Sequence, residues 1–328
     1  MNKISSRQSS IDVMKCVAAF FVVVIHCGAS LLSPVTSTAV PIFFLISGYY
    51  YPLLVGSRFS SHIRKLLVMV IGSSTLFGVY FFSNAFRHGT LTEWIAATFS
   101  LDVIVENILK DLDLFGGHLW FIWASIYDLL LLRLLDKFGL SKSLSFIVPI
   151  LLLIFFAFNF TPYDDDVRNW LFMGLPCMCI GRWIREDEKK WLKVFSTPRC
   201  CRAIAVVSFI LICAEFSVQR FFLGFLPRNM YIFTLPLVVS VFYMALRNPD
   251  FGKDSFVSKI GHRYSAFIYI IHYLINCLFS SYLGYFDGWK KYIVYPVVVF
   301  MISLLMAMLW GKLKSFMLKK LGPIEKAV

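Results

Sequence analysis

The sequence predicts an all-α polytopic membrane protein with about ten transmembrane helices. Three observations carry this. Of 328 residues, 59% are hydrophobic, and the mean hydropathy is +0.73. Apolar runs near 20 residues long recur, at 17–32, 66–83, 144–160 and 292–310, each long enough to cross a hydrocarbon core of roughly 30 Å. The basic residues alternate between sides: with the N-terminus inside, 25 of the 32 Lys and Arg fall on inner segments and inner helix ends, and 7 fall outside. The net charge of +13 is therefore read as the positive-inside bias and not as a nucleic-acid footprint.

The spans are placed near 11–32, 39–56, 63–83, 118–136, 143–160, 169–184, 203–217, 229–246, 264–284 and 292–311, with both termini cytoplasmic. The first run is a retained helix, because many equally apolar runs follow it. The loop at 182–202 is the most basic, with Arg182, Arg185, Lys189, Lys190, Lys193, Arg199 and Arg202. The span at 203–217 is short and contains Glu215. Residues 1–328 form one integral-membrane domain with no soluble domain. The outer segment 84–117 carries apolar residues at helical spacing with acids between them (Glu93, Asp102, Glu106, Asp111, Asp113). That pattern predicts an amphipathic surface helix with a solvated acidic face, or a lid over an outer cavity. The eight Cys lack metal-ligand spacing, so neither disulfide nor metal is expected.

Ionisable residues inside spans are the functional candidates, because each is costly in lipid. In "IDVMKCVAAFFVVVIH" (11–26), Lys15 and His26 are eleven residues apart, about 16 Å along a helix and roughly 20° from one face. Asp12 lies close to that stripe. The reading is a carboxylate and an ammonium at the inner edge and an imidazole near mid-depth, facing a bundle interior. Desolvation favours the neutral imidazole, the form a general base needs. The span "VPIFFLISGYYYP" holds Ser47-Gly48, which permits close helix contact or an irregular turn. The third span follows Arg58, His62, Arg64 and Lys65. Arg64 and Lys65 lie at the membrane level of Lys15, and three cations at one depth suit a phosphorylated cytosolic ligand. "GGHLWFIW" places His118 at the outer edge of the fourth span, beside Trp120. An outer aromatic belt accounts for Trp120 and Trp123 but not for His118. "YSAFIYIIHYLIN" puts His272 near the depth of His26.

Taken together these motifs resemble the acyltransferase 3 family of integral membrane acyltransferases. Ile11-Asp12, Lys15 and His26 resemble its opening "iD-x-x-R" followed by His. Pro41, Phe43, Phe44, Ser47 and Gly48 resemble its second helix, and "HLWF" (118–121) and "IYIIH" (268–272) resemble later patterns. The four motifs occur in the family's order over about 11–311. "SGY" with "HLWF" is similar to single-domain acetylases of common-antigen, O-antigen and capsule sugars. Two positions depart: Lys15 stands where relatives carry Arg, and the family's "R-x-x-R" before the third helix is reduced to Arg64-Lys65 between His62 and Leu67.

The resemblance implies a bacterial inner-membrane O-acyltransferase. It would move an acetyl group from cytoplasmic acetyl-CoA, a co-substrate and not a resident cofactor, to a hydroxyl of an envelope glycan or lipid-linked sugar. It implies His26 as general base or acyl relay, with Asp12 and His118 as further catalytic residues. Lys15, Arg64 and Lys65 would hold the CoA phosphates, and Ser47, Trp120 and His272 would contact the acceptor. An acidic, aromatic outer rim with Trp94, Tyr163, Trp170 and Trp289 is compatible with a sugar. The competing readings are a carrier or flippase for a lipid-linked sugar, and a structural envelope subunit. Mid-depth His26 and His272 speak against the latter.

Overall fold

The computed structural model describes residues 7–188, 197–225, 228–280, 286 and 288–320. Of the basic inner loop, Lys189, Lys190 and Lys193 lie outside these residues, as do parts of the turns at 222–229 and 283–291. The described residues form helices and no strand. Seven helices are long and apolar enough to span a bilayer: Ser9–His26, Ser30–Leu53, Ser57–Arg87, Gly117–Lys137, Ser141–Phe158, Pro198–Phe222 and Trp289–Met317. Thr234–Arg247 and Ser265–Phe279 are apolar but shorter. The span expected at 169–184 is a π-helical turn, Trp170–Gly174, running into a helix at Leu175–Glu186. Among the described residues each of the ten expected segments thus contains a helix, while seven helices reach full spanning length.

The helices are α1 Ser9–His26, α2 Ser33–Thr36, α3 Ala39–Tyr50, α4 Ser57–Arg87, α5 Leu91–Thr98, α6 Leu101–Leu109 and α7 Trp120–Lys137. They continue with α8 Leu144–Phe158, α9 Leu175–Glu186, α10 Pro198–Ser217, α11 Thr234–Arg247, α12 Phe256–Arg263, α13 Ser265–Phe279 and α14 Trp289–Lys320. They divide into two compact units: Met1–Leu32 with Asn248–Val328, and Ser33–Arg247.

In the unit built from the chain ends, α1 packs on α12, α13 and α14. The α1–α12 contact is backbone against backbone. A side chain at Gly261 would collide with the Asp12 carbonyl and the Cys16 amide. Pro249 accepts from the Ser10 amide and ties the returning chain to the start of α1. Where a helix through 11–32 was expected, α1 stops at His26. Cys27 caps it, and Gly28 takes φ +74, a left-handed conformation that glycine adopts cheaply. His26 is therefore a helix-terminal residue and not a mid-helix one.

In the central unit, α3 and α9 form the tightest pair. A side chain at Gly48 would meet the Met178 carbonyl, and one at Gly181 would meet the Leu45 carbonyl. Small residues let the two backbones touch, so the close-contact reading of Ser47-Gly48 describes this pair. Arg182 locks the end of α9 to α7 through Asp136 at 2.8 Å and to its own turn through Glu186 at 2.6 Å. The Tyr51 hydroxyl donates to Asp136 at 2.5 Å. Buried around these helices lie Phe44, Trp120, Leu129, Phe155, Met173 and Met178.

The outer segment holds two short helices, α5 and α6, and not one. Ser100 adopts an extended conformation between them, and its hydroxyl accepts from the Val103 amide as the cap of α6. Glu93, Asp102 and Glu106 are exposed, whereas Asp111 and Asp113 are 1% and 7% exposed. The solvated acidic face therefore stops before them. Asp113 accepts from Ser74, Trp123 and the amides of Phe115 and Gly116. Four donors satisfy its charge, and they fix the turn leading into "GGHLW".

Candidate functional site

Within the terminal unit, α1 carries two polar clusters at its two ends. At its start Asp12, 3% exposed, gathers three partners, two cationic side chains and an imidazole. Arg7 Nε lies at 2.7 Å, Lys15 Nζ at 3.4 Å and His262 Nδ1 at 3.6 Å. Arg7 also donates to the Ser258 hydroxyl at 3.1 Å, which binds α12 to the same point. The spacing of three puts Lys15 one turn beyond Asp12, so one helix face presents both. Asp12 orients Lys15 and draws on part of its charge.

At the far end of α1 the His26 ring meets the His272 ring, with centroids 5.1 Å apart, and the Tyr273 ring at 5.5 Å. Asn276 donates from Nδ2 to the His26 carbonyl at 2.9 Å. That carbonyl belongs to the last turn of α1, where no intrahelical amide follows to satisfy it. The Tyr295 hydroxyl donates to Asn276 Oδ1 at 2.8 Å. One chain of hydrogen bonds thus links α1, α13 and α14 and holds His26 by its backbone. His272 is fully buried, and its Nδ1 faces the Ile268 carbonyl at 3.1 Å. A carbonyl only accepts, so Nδ1 is the protonated nitrogen of this contact.

The structure brings together Asp12 with Lys15, and His26 with His272. The other sequence candidates lie in the central unit. Arg64 and Lys65 are exposed near the start of α4. Ser47 donates back to the Phe43 carbonyl at 2.9 Å within its own helix. His118, 3% exposed, lies in a single 3-10 turn, Gly117–Leu119, against the edge of Phe77 at 4.7 Å. Trp120 is 5% exposed, with Arg168 over its ring at 5.4 Å. It is a core residue and not part of an interfacial belt. Of the outer aromatics, Tyr163 and Trp289 are exposed, while Trp94 packs against Phe82, Phe99 and Phe115.

Sequence reasoning missed Asn276, Tyr295, Arg7 and His262. Asn276 stands four residues after His272 and so shares its helix face, a signal that was available. It also missed Asp128, which is fully buried in α7. Neither carboxylate oxygen has a hydrogen-bond partner among the described residues, and the nearby Ser125 hydroxyl is in the same state. Gly174 makes room for Asp128, since a side chain there would strike Oδ2. Closer to the outer ends of the helices, Asp111 accepts from the Trp170 amide at 3.2 Å. Burial pushes its carboxyl up to about 8, against the pull of Arg168 and the amide.

The family model for the acyltransferase domain (acyltransferase 3) matches residues 8–311, nearly the whole chain. No curated protein and no solved structure matches. The matched range takes in Asp12, Lys15, His26, His272, Asn276 and Tyr295, and every helix described above except the last turns of α14. The chain belongs to the acyltransferase 3 family, a membrane acyltransferase.

Proposed function

We propose that the protein is an O-acetyltransferase of the bacterial inner membrane, using cytoplasmic acetyl-CoA to acetylate a hydroxyl of an envelope glycan or lipid-linked sugar. The observation that carries the catalytic half of this reading is the His26–His272 pair, braced by Asn276 and Tyr295 at the end of α1. The ring contact sets a second imidazole beside the proposed base. His26 takes the proton of the acceptor hydroxyl as that oxygen attacks the thioester carbonyl. The carbon–sulfur bond then breaks, and the proton passes to the departing CoA thiolate. If His26 is the relay instead, its ring nitrogen attacks first, CoA leaves, and the hydroxyl then attacks the acyl-imidazole.

At the other end of α1, Lys15 meets the donor phosphates and Asp12 sets its position. Lys15 stands about 16 Å from His26 along the helix axis, a separation that the acyl-pantetheine arm can cover. Taken by itself, the central unit offers Arg64 and Lys65 as cations suited to phosphate, and His118, Ser47 and Trp120 as the residues proposed for the acceptor. The burial of His118 and Trp120 and the hydrogen bond of Ser47 make these three supports of the local fold first.

Purified protein in detergent should release CoA thiol from acetyl-CoA only when a glycan acceptor is added. A flippase would leave acetyl-CoA intact, and that result would end the enzyme reading. Lys15→Ala should raise the KM for acetyl-CoA about tenfold, the loss of one charge-assisted contact of roughly 1.5 kcal/mol. An unchanged KM would remove Lys15 from the donor site. Comparative mass spectrometry of envelope glycans from cells with and without the gene would identify acyl group and acceptor together.

A further inference from the structure

The terminal unit contains a cleft of about 540 Å³ that neither cluster on α1 uses. Arg263, Tyr264, Met308, Gly311, Lys312, Ser315 and Phe316 line it. It opens where α12 ends and α13 begins, against the second half of α14. Arg263 and its neighbour His262 take different directions. His262 turns to Asp12 at 3.6 Å, while Arg263 lines the cleft. The site is therefore separate from the Asp12–Lys15 cluster, although both lie toward the end of the unit where α1 starts.

The chemistry of the lining is one-sided. It holds a guanidinium, an ammonium, two hydroxyls and no carboxylate. Among the described residues neither Arg263 nor Lys312 has an ion pair, whereas Asp12 is met by Arg7, Lys15 and His262. Two cations of like charge facing one cleft repel each other unless an anion joins them. A guanidinium fork with an ammonium and hydroxyl donors matches the oxygens of a phosphate. The remaining lining, Met308 and Phe316, is apolar, and Trp310 stacks on Phe267 at 6.3 Å on the same helices. Lys312 stands near the end of the apolar run Trp289–Met317. Basic and aromatic residues at the end of a span mark the headgroup level of a bilayer.

We propose that this cleft binds a phosphate ester, with Arg263 and Lys312 as the charged contacts and Tyr264 and Ser315 as hydroxyl donors. Two sources supply that group at this level: the headgroup of an anionic phospholipid, and the 3′-phosphoadenosine portion of a CoA-type donor.

The test is equilibrium binding to the full-length, delipidated protein in detergent. The probes are a short-chain phosphatidylglycerol and 3′-phosphoadenosine 5′-phosphate. Wild type should bind at least one of them. The Arg263→Gln/Lys312→Gln variant should bind that probe at least tenfold more weakly, and Ser315→Glu, which puts an anion into the cleft, should weaken it as well. Lys290→Gln/Lys291→Gln removes the same charge at the opposite end of α14 and should leave binding unchanged. Loss confined to the lipid names a headgroup site, and loss confined to the nucleotide names a donor site; either supports the proposal. It is overturned if wild type binds neither probe, if the Arg263/Lys312 variant binds both as tightly as wild type, or if the Lys290/Lys291 variant loses as much. Binding is read without turnover, so the result stands apart from whether the protein transfers acetyl groups.

Discussion

At the residue scale, His26 is a catalytic candidate because of what holds it. Asn276 satisfies the carbonyl of the last residue of α1, and Tyr295 satisfies Asn276. Under the proposed function these two are positioning residues. Asn276→Ala should lower kcat about tenfold with the KM for acetyl-CoA unchanged, and Tyr295→Phe should do so more mildly. A purely structural role would lower the folded fraction and leave the kcat of the remaining protein intact. Asp111 makes a different prediction. Its carboxyl is raised from its ordinary range to about 8 by burial, so the folded chain holds a proton that the unfolded chain releases near pH 4. The stabilisation is complete below about pH 4 and is lost as pH rises toward about 8. Thermal unfolding in detergent should show this decline between pH 5 and 8, and Asp111→Asn should flatten it.

At the element scale, glycines decide how closely the helices approach. Gly261 lets α12 lie on the backbone of α1, and α12 delivers both His262 and Ser258 to the Asp12 cluster. Gly261→Ala should destabilise the protein by about 1–3 kcal/mol or more, the cost of overpacking against backbone that cannot yield. It should also raise the KM for the donor by displacing Lys15, and a thermal-shift series with kinetics at low temperature would separate the two effects. Gly48 in α3 makes the same kind of contact with Met178 in α9. These elements were legible in the sequence as spans because hydropathy reports lipid exposure. Their ends were not. The break after His26 depends on Gly28 in a left-handed conformation, and an apolar run through 17–32 conceals it. The division of the outer segment at Ser100 had a readable capping residue, but its apolar periodicity continues on both sides.

At the scale of the whole molecule, the first helix and the last three form one unit, although more than 200 residues separate them in the chain. Sequence spacing along one helix could align Asp12, Lys15 and His26, because that alignment is local. It could not pair His26 with His272, or join Asn276 to Tyr295, because those contacts depend on how α13 and α14 return to α1. Asp128 was passed over for a related reason: a single carboxylate in α7 reads as ordinary until its complete burial is known. The family match over residues 8–311 settles the reaction class as acyl transfer, and the proposed function places its base and its donor anchor in the terminal unit. The central claim is that His26 performs the transfer chemistry. The measurement that tests it most directly is acetylation of envelope glycan by cells carrying His26→Ala, with protein level and membrane insertion matched to wild type. The account predicts a loss of at least about a hundredfold, the low end of what a general base supplies. Acetylation near the wild-type level would contradict it.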